Sequence, residues 1–449
     1  MTSIDRSRLG GLLPGERDEF ARRNPRSARL ADEAQQHLLA GVPMPWMTRW
    51  PGPFPLFVES AAGARVTDVD GHTYVDFALG DTGAMCGHAL PQVTAALASQ
   101  AARGITTMLP SADAIWGAAE LARRFGLPRW QLAMTATDAN RFVIRMARAV
   151  TGRPKVLVFD GCYHGTVDET FATVDAGGAT VSRTENLGAP VDPSLTTVVV
   201  QFNDVDAVRA ALATGAVACV LTEPALTNIG IVLPEPGFHD ALRAACDETG
   251  TLLVIDETHT ISAGPGGATA AWGLTPDLLT IGKPIGGGMP AAAYGMTTAV
   301  AGLVHDFLLA DGVDVSGIGG TLTGNALALA AMKATLANAL RDEDFAIAIP
   351  LAERWADGVA AVIADHALPW TVQRLGCRAE YWYCPTPRNG AEAAAAMDSE
   401  LDAYLHLYAL NRGVVLTPFH NMALLSSAHS AGDVDLHTEV FAGAVATLV

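Results

Sequence analysis

Five short apolar runs separated by helical stretches dominate the sequence between about residues 131 and 285. They are KVLVF at 155–159, TTVVVQF at 196–202, VACVLTEP at 217–224, TLLVIDE at 251–257 and LLTIGKPI at 278–285. Strands that are apolar throughout and alternate with helices are typical of a parallel sheet covered on both faces. The intervening segments 205–213 and 238–249 carry apolar residues on one side, as such helices require. The pattern predicts an α/β fold built on a mostly parallel sheet.

The N-terminal part of the chain predicts two further features. Residues 1–40 combine helix-like apolar spacing with seven arginines, which indicates an exposed helical arm that packs on the body of the protein or on a partner subunit. Residues 63–77 alternate between apolar and polar around a DxDG turn, which is typical of a β-hairpin.

The C-terminal part predicts a separate domain. A Gly-rich link at 316–321 leads into an Ala/Leu-rich helix that runs to about Leu340. A strand-like stretch at 378–385, an amphipathic helix at 397–411 and a second strand pair around 414–425 follow. We therefore expect an N-terminal arm with part of a small domain at 1–65, a large domain at 66–335 and a C-terminal small domain at 336–449.

Charge and composition exclude several classes of partner. The 449 residues include 29 Lys plus Arg and 47 Asp plus Glu, for a net charge of −18, which repels nucleic acid and anionic membrane surfaces. The six cysteines show no CxxC or other metal-ligand spacing, so we expect reduced thiols and no metal site. The first thirty residues carry Asp5, Glu16, Asp18 and Glu19 and lack the basic start followed by an apolar stretch that is typical of a signal peptide, and no apolar run reaches membrane-spanning length. We expect a cytoplasmic protein.

The residues at which the apolar runs stop carry the candidate chemistry. Ligands bind at the carboxyl ends of the strands in open parallel sheets. Here the ends present Asp256, Lys283, Glu223 and, after KVLVF, Tyr163. A lysine amine that forms an imine, an aspartate that keeps a pyridine nitrogen protonated and an aromatic ring that stacks are the groups that hold pyridoxal 5'-phosphate.

Lysine is rare in this chain, which makes its positions informative. It occurs only at Lys155, Lys283 and Lys333. Lys283 ends an apolar strand, where burial lowers the pKa of an amine and makes it nucleophilic. We expect the other two to be ordinary surface residues.

With these residues the sequence resembles the class III, pyridoxal-phosphate-dependent aminotransferases, and within them the branch that contains glutamate-1-semialdehyde aminomutase and the β-amino-acid aminotransferases. The resemblance covers roughly residues 35–449. It rests on five motifs in order: the phosphate-binding turn Thr135-Ala136-Thr137-Asp138-Ala139, Tyr163-His164-Gly165, the strand-end Asp256, Lys283 in GKPIGGG, and Gly320-Thr321.

The resemblance implies both the fold and the roles of these residues. It implies a large domain like that of aspartate aminotransferase, a small α/β domain made from both termini, and a homodimer. Lys283 is then the lysine that forms the internal aldimine, and Asp256, Tyr163, Ala136, Thr137 and Glu223 line the cofactor site. Thr321 reaches the cofactor phosphate of the neighbouring subunit.

The phosphate-binding turn also has a physical basis in the sequence. Thr135 or Thr137 can cap a helix that starts here, and its free N–H groups and positive dipole end attract an anion. Ala136 stands where the family has glycine, which adds a methyl group close to the phosphate.

The expected carboxylate-binding arginines are missing. Trp46 stands at the N-terminal arginine position, with Arg49 three residues later, and Phe419 and His420 follow Thr417-Pro418. Aromatic rings cannot pair bidentately with a carboxylate. Either the pocket is apolar and accepts an amine, amino alcohol or long-chain amino acid, or Arg49 or Arg378 takes over.

Two further residues have alternative interpretations. Glu223, which neutralises an arginine in several family members, is expected to bind a substrate cation or to stay protonated as a donor. Its alternative role is to support the cofactor from outside the first layer of contacts. His259, in DETHT, is expected to be structural.

The leading functional interpretation is an aminotransferase that moves an amino group from an amine or amino acid to an oxo acid through a Lys283 aldimine and a pyridoxamine form. The alternative is an isomerase, an aminomutase or racemase, because the same cofactor residues serve both. A non-catalytic homologue is disfavoured because Lys283 and Asp256 are both present.

Overall fold

Helices and strands alternate along most of the chain. The computed structural model describes residues 4–183, 186–188, 191–308, 310, 312 and 315–449. The α-helices are α1 (Arg6–Arg23), α2 (Pro25–Ala34), α3 (Pro91–Ala101), α4 (Ala112–Phe125), α5 (Ala136–Thr151), α6 (Val205–Leu212), α7 (Phe238–Thr249), α8 (Gly267–Ala271), α9 (Thr298–Leu308), α10 (Ala326–Asn338), α11 (Asp342–Asp365), α12 (Gly390–Ala395), α13 (Ser399–Asn411) and α14 (Ala431–Ala446). Across these ranges, the structure contains no helix with the length and apolar character needed to cross a bilayer.

The strands form four sheets among the described residues. They are β1 (Val58–Ala62), β2 (Arg65–Asp68), β3 (Thr73–Asp76), β4 (Arg129–Ala133), β5 (Lys155–Phe159), β6 (Ala172–Val174), β7 (Thr180–Ser182), β8 (Thr197–Val200), β9 (Val217–Thr222), β10 (Leu252–Asp256), β11 (Leu278–Ile281), β12 (Ala292–Met296), β13 (Thr371–Leu375), β14 (Arg378–Trp382), β15 (Val414–Val415) and β16 (Met422–Leu424). The sheet orders are β1-β2-β3-β15, β4-β12-β11-β10-β9-β5-β8, β13-β14-β16 and β6-β7.

The largest sheet confirms the predicted α/β fold. All five predicted apolar runs form strands of this sheet, and β8, β5, β9, β10 and β11 are parallel neighbours. Among the strands of this sheet only β12 is reversed, and it pairs antiparallel with β11 on one side and with β4 on the other. Every residue of β9 and β11 is buried, as expected for strands covered on both faces.

The chain divides into two compact units. One contains Met1–Leu90, Glu343–Thr386 and Ala396–Val449, and the other contains Pro91–Asp342 and Pro387–Ala395. Residues 66–90, which we assigned to the large domain, therefore group with the termini. The reason is that β3 of the 63–77 hairpin pairs in parallel with β15, which lies more than 300 residues later in the chain.

The first unit differs from the predicted pattern in one further respect. The two strands around 414–425 do not pair with each other, because β15 joins β3 and β16 joins β14. The N-terminal arm packs on its own chain: the Asp5 N–H donates to the Leu448 carbonyl at 2.8 Å, and Asn411 donates to Glu16 at 2.7 Å.

Candidate active site

Four neighbouring parallel strands end in the candidate residues. In sheet order, β11, β10, β9 and β5 are followed by or end in Lys283, Asp256, Glu223 and Tyr163. The carboxyl ends of parallel strands lie along one edge of a sheet. These four residues, which are far apart in the chain, therefore lie side by side along that edge.

Asp256 is a buried carboxylate with three hydrogen-bond donors. Its Oδ2 accepts from Asn140 Nδ2 at 2.8 Å and pairs with His164 Nδ1 at 2.9 Å, and its Oδ1 accepts from the Thr258 N–H at 3.1 Å. Burial alone raises the pKa of Asp256, but the hydrogen bond and charge of His164, together with the other donors, outweigh it and lower the pKa to about 2. Asp256 therefore stays ionised inside the protein.

His164 supplies the opposite charge. Burial disfavours its charged form, but the Cys162 sulfur and the Asp256 carboxylate outweigh burial and raise the pKa of His164 to about 10. The pair therefore carries no net charge. Asn140 steadies the arrangement, because it also accepts from Thr280 Oγ1 at 2.7 Å on the neighbouring strand β11.

Lys283 follows β11 in an unusual backbone conformation. Its φ of +47° lies in the left-handed region, which non-glycine residues rarely occupy. Its Nζ lies 2.7 Å from His259 Nε2. His259 is in the turn that follows β10, three residues after Asp256, so the two adjacent strand ends bring the lysine and the histidine together.

The phosphate-binding turn opens helix α5 at Ala136. Thr135 is the N-cap, and its Oγ1 accepts from the Asp138 N–H at 3.2 Å. The first N–H groups of a helix have no partner within the helix, so those of Ala136 and Thr137 are suited to an anion. Gly282 compensates for the methyl of Ala136, since a Cβ on this glycine would lie only 3.0 Å from Ala136 Cβ.

Thr137 is fixed from the other side by the loop after Tyr163. Its Oγ1 accepts from the Thr166 N–H at 3.0 Å. Gly165, with a φ of +77°, packs so closely that a Cβ there would collide with Thr137 Oγ1. The loop that contains Tyr163 and Gly165 thus packs directly against Thr137 at the start of α5.

Glu223 is buried, with 2% of its surface exposed. Its Oε2 accepts from Thr227 Oγ1, and its Oε1 has no hydrogen-bond partner among the described residues. Burial raises the pKa of Glu223 to about 7, and the positive charge of His164 opposes this only in part. The carboxyl group can therefore gain or lose a proton near neutral pH.

Thr321 lies on an exposed turn after Gly319 and Gly320, whose φ values of +115° and +127° favour glycine. An exposed side chain at this position is compatible with the predicted contact to a second subunit, which stays a prediction.

The four residues suggested for substrate binding belong to the first compact unit. Trp46 meets the ring of Phe419 edge-on, with 5.1 Å between centroids. Arg378 is fully buried and donates to Thr82 Oγ1 at 2.6 Å. His420 Nδ1 lies 3.3 Å from Glu380 Oε1, and Arg49 is exposed.

Sequence reasoning missed two contacts of the site. The expectation of a structural role for His259 did not include its contact with Lys283, and Asn140 was not singled out at all. Asn140 lies four residues after Ala136, one helical turn further along α5, which is the signal that could have found it. For His259 the signal was its spacing of three residues from Asp256.

These groups fit pyridoxal 5'-phosphate. The ionised Asp256 matches a protonated pyridine nitrogen, Lys283 presents an amine at the next strand end, and the start of α5 presents free N–H groups.

Comparison with known proteins identifies the family. The sequence model described as "Aminotransferase class-III" matches residues 46–363. A glutamate-1-semialdehyde 2,1-aminomutase 2 from Brevibacillus brevis is 33% identical over 426 residues, which cover 91% of this chain and 96% of that protein. The chain belongs to the class-III aminotransferase family of pyridoxal-phosphate-dependent enzymes.

Solved structures agree with this assignment. A glutamate-1-semialdehyde aminomutase from Pseudomonas aeruginosa PAO1 is 49% identical, with a TM-score of 0.98 and full coverage of both chains. A lysine-to-alanine variant of such an aminomutase from the same organism, 48% identical, is in complex with PMP. A β-phenylalanine aminotransferase from Variovorax paradoxus is 26% identical, with a TM-score of 0.86. The match covers 98% of this chain and 97% of that chain.

Proposed function

We propose that this protein is a pyridoxal-phosphate-dependent aminomutase, an isomerase that moves an amino group between adjacent carbons of one substrate. The observation that carries the proposal is the match over the whole chain to a glutamate-1-semialdehyde aminomutase at a TM-score of 0.98. Our sequence interpretation placed the aminotransferase first and the isomerase second, and the relatives favour the second.

The residues at the sheet edge would hold the cofactor by charge and shape. Asp256, ionised and held by Asn140 and His164, would pair with the ring nitrogen. The N–H groups of Ala136 and Thr137 would bind the phosphate, and Tyr163 would lie against the ring. When bound, the cofactor supplies a ring that accepts the electrons left behind when a substrate carbon loses a proton.

Lys283 is the proposed catalytic residue. Its Nζ is a base when neutral, so it can take a proton from a substrate carbon and return it to a neighbouring atom. Lys283 follows β11, the strand next to β10, so the base and the Asp256 carboxylate lie at the same edge of the sheet. Asp256 keeps its charge throughout, because its pKa of about 2 lies far below neutral pH.

The substrate we propose has amino and oxo groups on adjacent carbons, as in the semialdehyde named for the relatives. The rest of the molecule would contact the Trp46 and Phe419 rings or, as the alternative, Arg49 or Arg378. The guanidinium of Arg378 is fully buried and donates to Thr82. Arg49 and His420 remain proposed substrate contacts.

One experiment separates the isomerase from the aminotransferase. The cofactor-loaded enzyme is given glutamate-1-semialdehyde, or an analogue in which an apolar group replaces the carboxylate, with no added oxo acid. An isomerase carries out many turnovers of the compound per active site without an acceptor, and the Lys283→Ala variant does not. Turnover that stops after one equivalent and resumes on adding an oxo acid would overturn the isomerase proposal.

The aminotransferase is the second candidate. It is favoured by the similarity to the β-phenylalanine aminotransferase, which covers 98% of this chain. Under this alternative the donor is an amine or amino acid, the acceptor is an oxo acid, and the requirement for an acceptor is absolute.

We also propose a homodimer in which Thr321 of each subunit contacts the phosphate of the other. The exposed position of Thr321 and the glycines that precede it support this arrangement.

A further inference from the structure

We propose that His259 is the positioning residue for Lys283, accepting a hydrogen bond from the lysine ammonium at Nε2. The inference rests on the proposed function, in which Lys283 Nζ carries a proton between atoms of the reaction. Its geometric basis is the 2.7 Å distance between Lys283 Nζ and His259 Nε2. This distance is within the range of a hydrogen bond between two nitrogens.

The turn that carries His259 is held on both sides. On one side, the Thr258 N–H donates to Asp256 Oδ1 at 3.1 Å. On the other, Oε2 of the buried Glu257 carboxylate accepts from Thr260 Oγ1 at 2.6 Å and from the Ala268 N–H at 3.2 Å. The imidazole between them is 92% buried, since 8% of the residue is exposed. A histidine in such a turn has little freedom to move away from Lys283.

Lys283 is also held in place by its own backbone. A non-glycine residue at a φ of +47° is strained, and such strain persists only where the surroundings determine it. The preceding Gly282 packs against Ala136, and Pro284 follows. This backbone conformation places the lysine side chain at the end of β11, where its Nζ contacts His259.

The chemistry of the two groups sets the direction of the hydrogen bond. A lysine ammonium has donors only, and a neutral imidazole has one nitrogen that accepts. With the proton of His259 on Nδ1, Nε2 accepts a hydrogen bond from the Lys283 ammonium. When Lys283 takes up a proton, His259 then keeps Nζ in one place until the proton leaves, and the imidazole itself gains no proton.

The test compares two substitutions of similar size. Glutamine at position 259 retains a side-chain acceptor, and leucine removes it. The full-length proteins His259→Gln and His259→Leu are freed of cofactor and treated briefly with acetic anhydride at one pH, since only neutral amines react. Peptide mass spectrometry then gives the acetylation rate of Lys283, with Lys155 and Lys333 as internal standards in the same chain.

We expect Lys283 to be acetylated about tenfold faster in the leucine variant than in the unchanged protein, because a hydrogen bond to a charged group is worth about this factor. In the glutamine variant the rate should stay within about twofold of the unchanged protein. In the cofactor-loaded enzymes, kcat should fall in the leucine variant, recover in the glutamine variant, and leave KM nearly constant.

Equal acetylation rates of Lys283 in the two variants would refute the role of His259. Melting curves and cofactor uptake check that both variants fold, and His259→Asn, which also has an acceptor, replaces the glutamine variant if that one does not. The acetylation needs no turnover. A failure of the isomerase proposal would therefore leave this result standing, and the reverse also holds.

Discussion

The close approach of Gly282 to Ala136 predicts a specific effect on cofactor binding. In Gly282→Ala, the new Cβ would lie 3.0 Å from Ala136 Cβ and 3.1 Å from Ala136 N, whereas carbon atoms in contact prefer about 3.5–4.0 Å. Overpacking of this kind costs about 1–3 kcal/mol, because the start of α5 must move.

The movement would displace the N–H groups that we propose for the phosphate. We expect pyridoxal phosphate to bind at least about tenfold more weakly, which corresponds to ~1.4 kcal/mol. Titration of the cofactor-free protein, followed by absorbance, measures this affinity. Gly302→Ala is the matched control, since it adds the same methyl in helix α9 with no atom within 4 Å.

The double variant Gly282→Ala with Ala136→Gly tests the cause. Removing the Ala136 methyl eliminates the 3.0 Å contact but leaves the one with the backbone nitrogen, so we expect partial recovery of affinity. Unchanged affinity in Gly282→Ala, or no recovery in the double variant, would show that the turn and the strand end are not coupled in this way.

Three further predictions follow from the burial and exposure of single residues. Because the pKa of Glu223 is raised from 4.5 to about 7, its protonated form stabilises the fold at acid pH, and this stabilisation is lost as the pH rises through 7. The stability of Glu223→Gln relative to the unchanged protein should therefore rise by up to about 3 kcal/mol from pH 5 to pH 8, as measured by thermal unfolding. A stability difference that is the same at pH 5 and at pH 8 would contradict this. Asn140→Leu removes the hydrogen bonds to Asp256 and Thr280 and should cost about 1–3 kcal/mol in denaturant unfolding, whereas the exposed control Asn338→Leu should stay within about 0.5 kcal/mol. Thr321→Ala should lower cofactor affinity while size-exclusion chromatography still shows a dimer, and unchanged affinity would remove Thr321 from the site.

The large sheet could be predicted because its signal is local. Each strand is a short run of apolar residues, and each run ends in a polar residue that marks the edge where ligands bind. Asp256, Glu223 and Lys283 were chosen on this signal alone, and the structure places them on three adjacent strands. Their roles toward the cofactor stay proposals until they are tested.

The small unit was harder to predict because its strands pair over long distances. β15 and β16 lie seven residues apart, and their spacing is typical of a hairpin, yet they join β3 and β14 instead. A local pattern shows that a segment is extended but not which strand it meets. For the same reason the sequence pattern placed the start of the large domain at residue 66, although residues 66–90 group with the termini.

The sequence by itself determined the fold class, the family resemblance and the row of candidate residues, because periodicity and motif order are properties of neighbouring positions. Only the tertiary structure decided that His259 meets Lys283, that Gly282 makes room for the methyl of Ala136, and that burial brings the pKa of Glu223 to about 7. Each of these depends on distances and burial between segments that are far apart in the chain, and no local pattern encodes them.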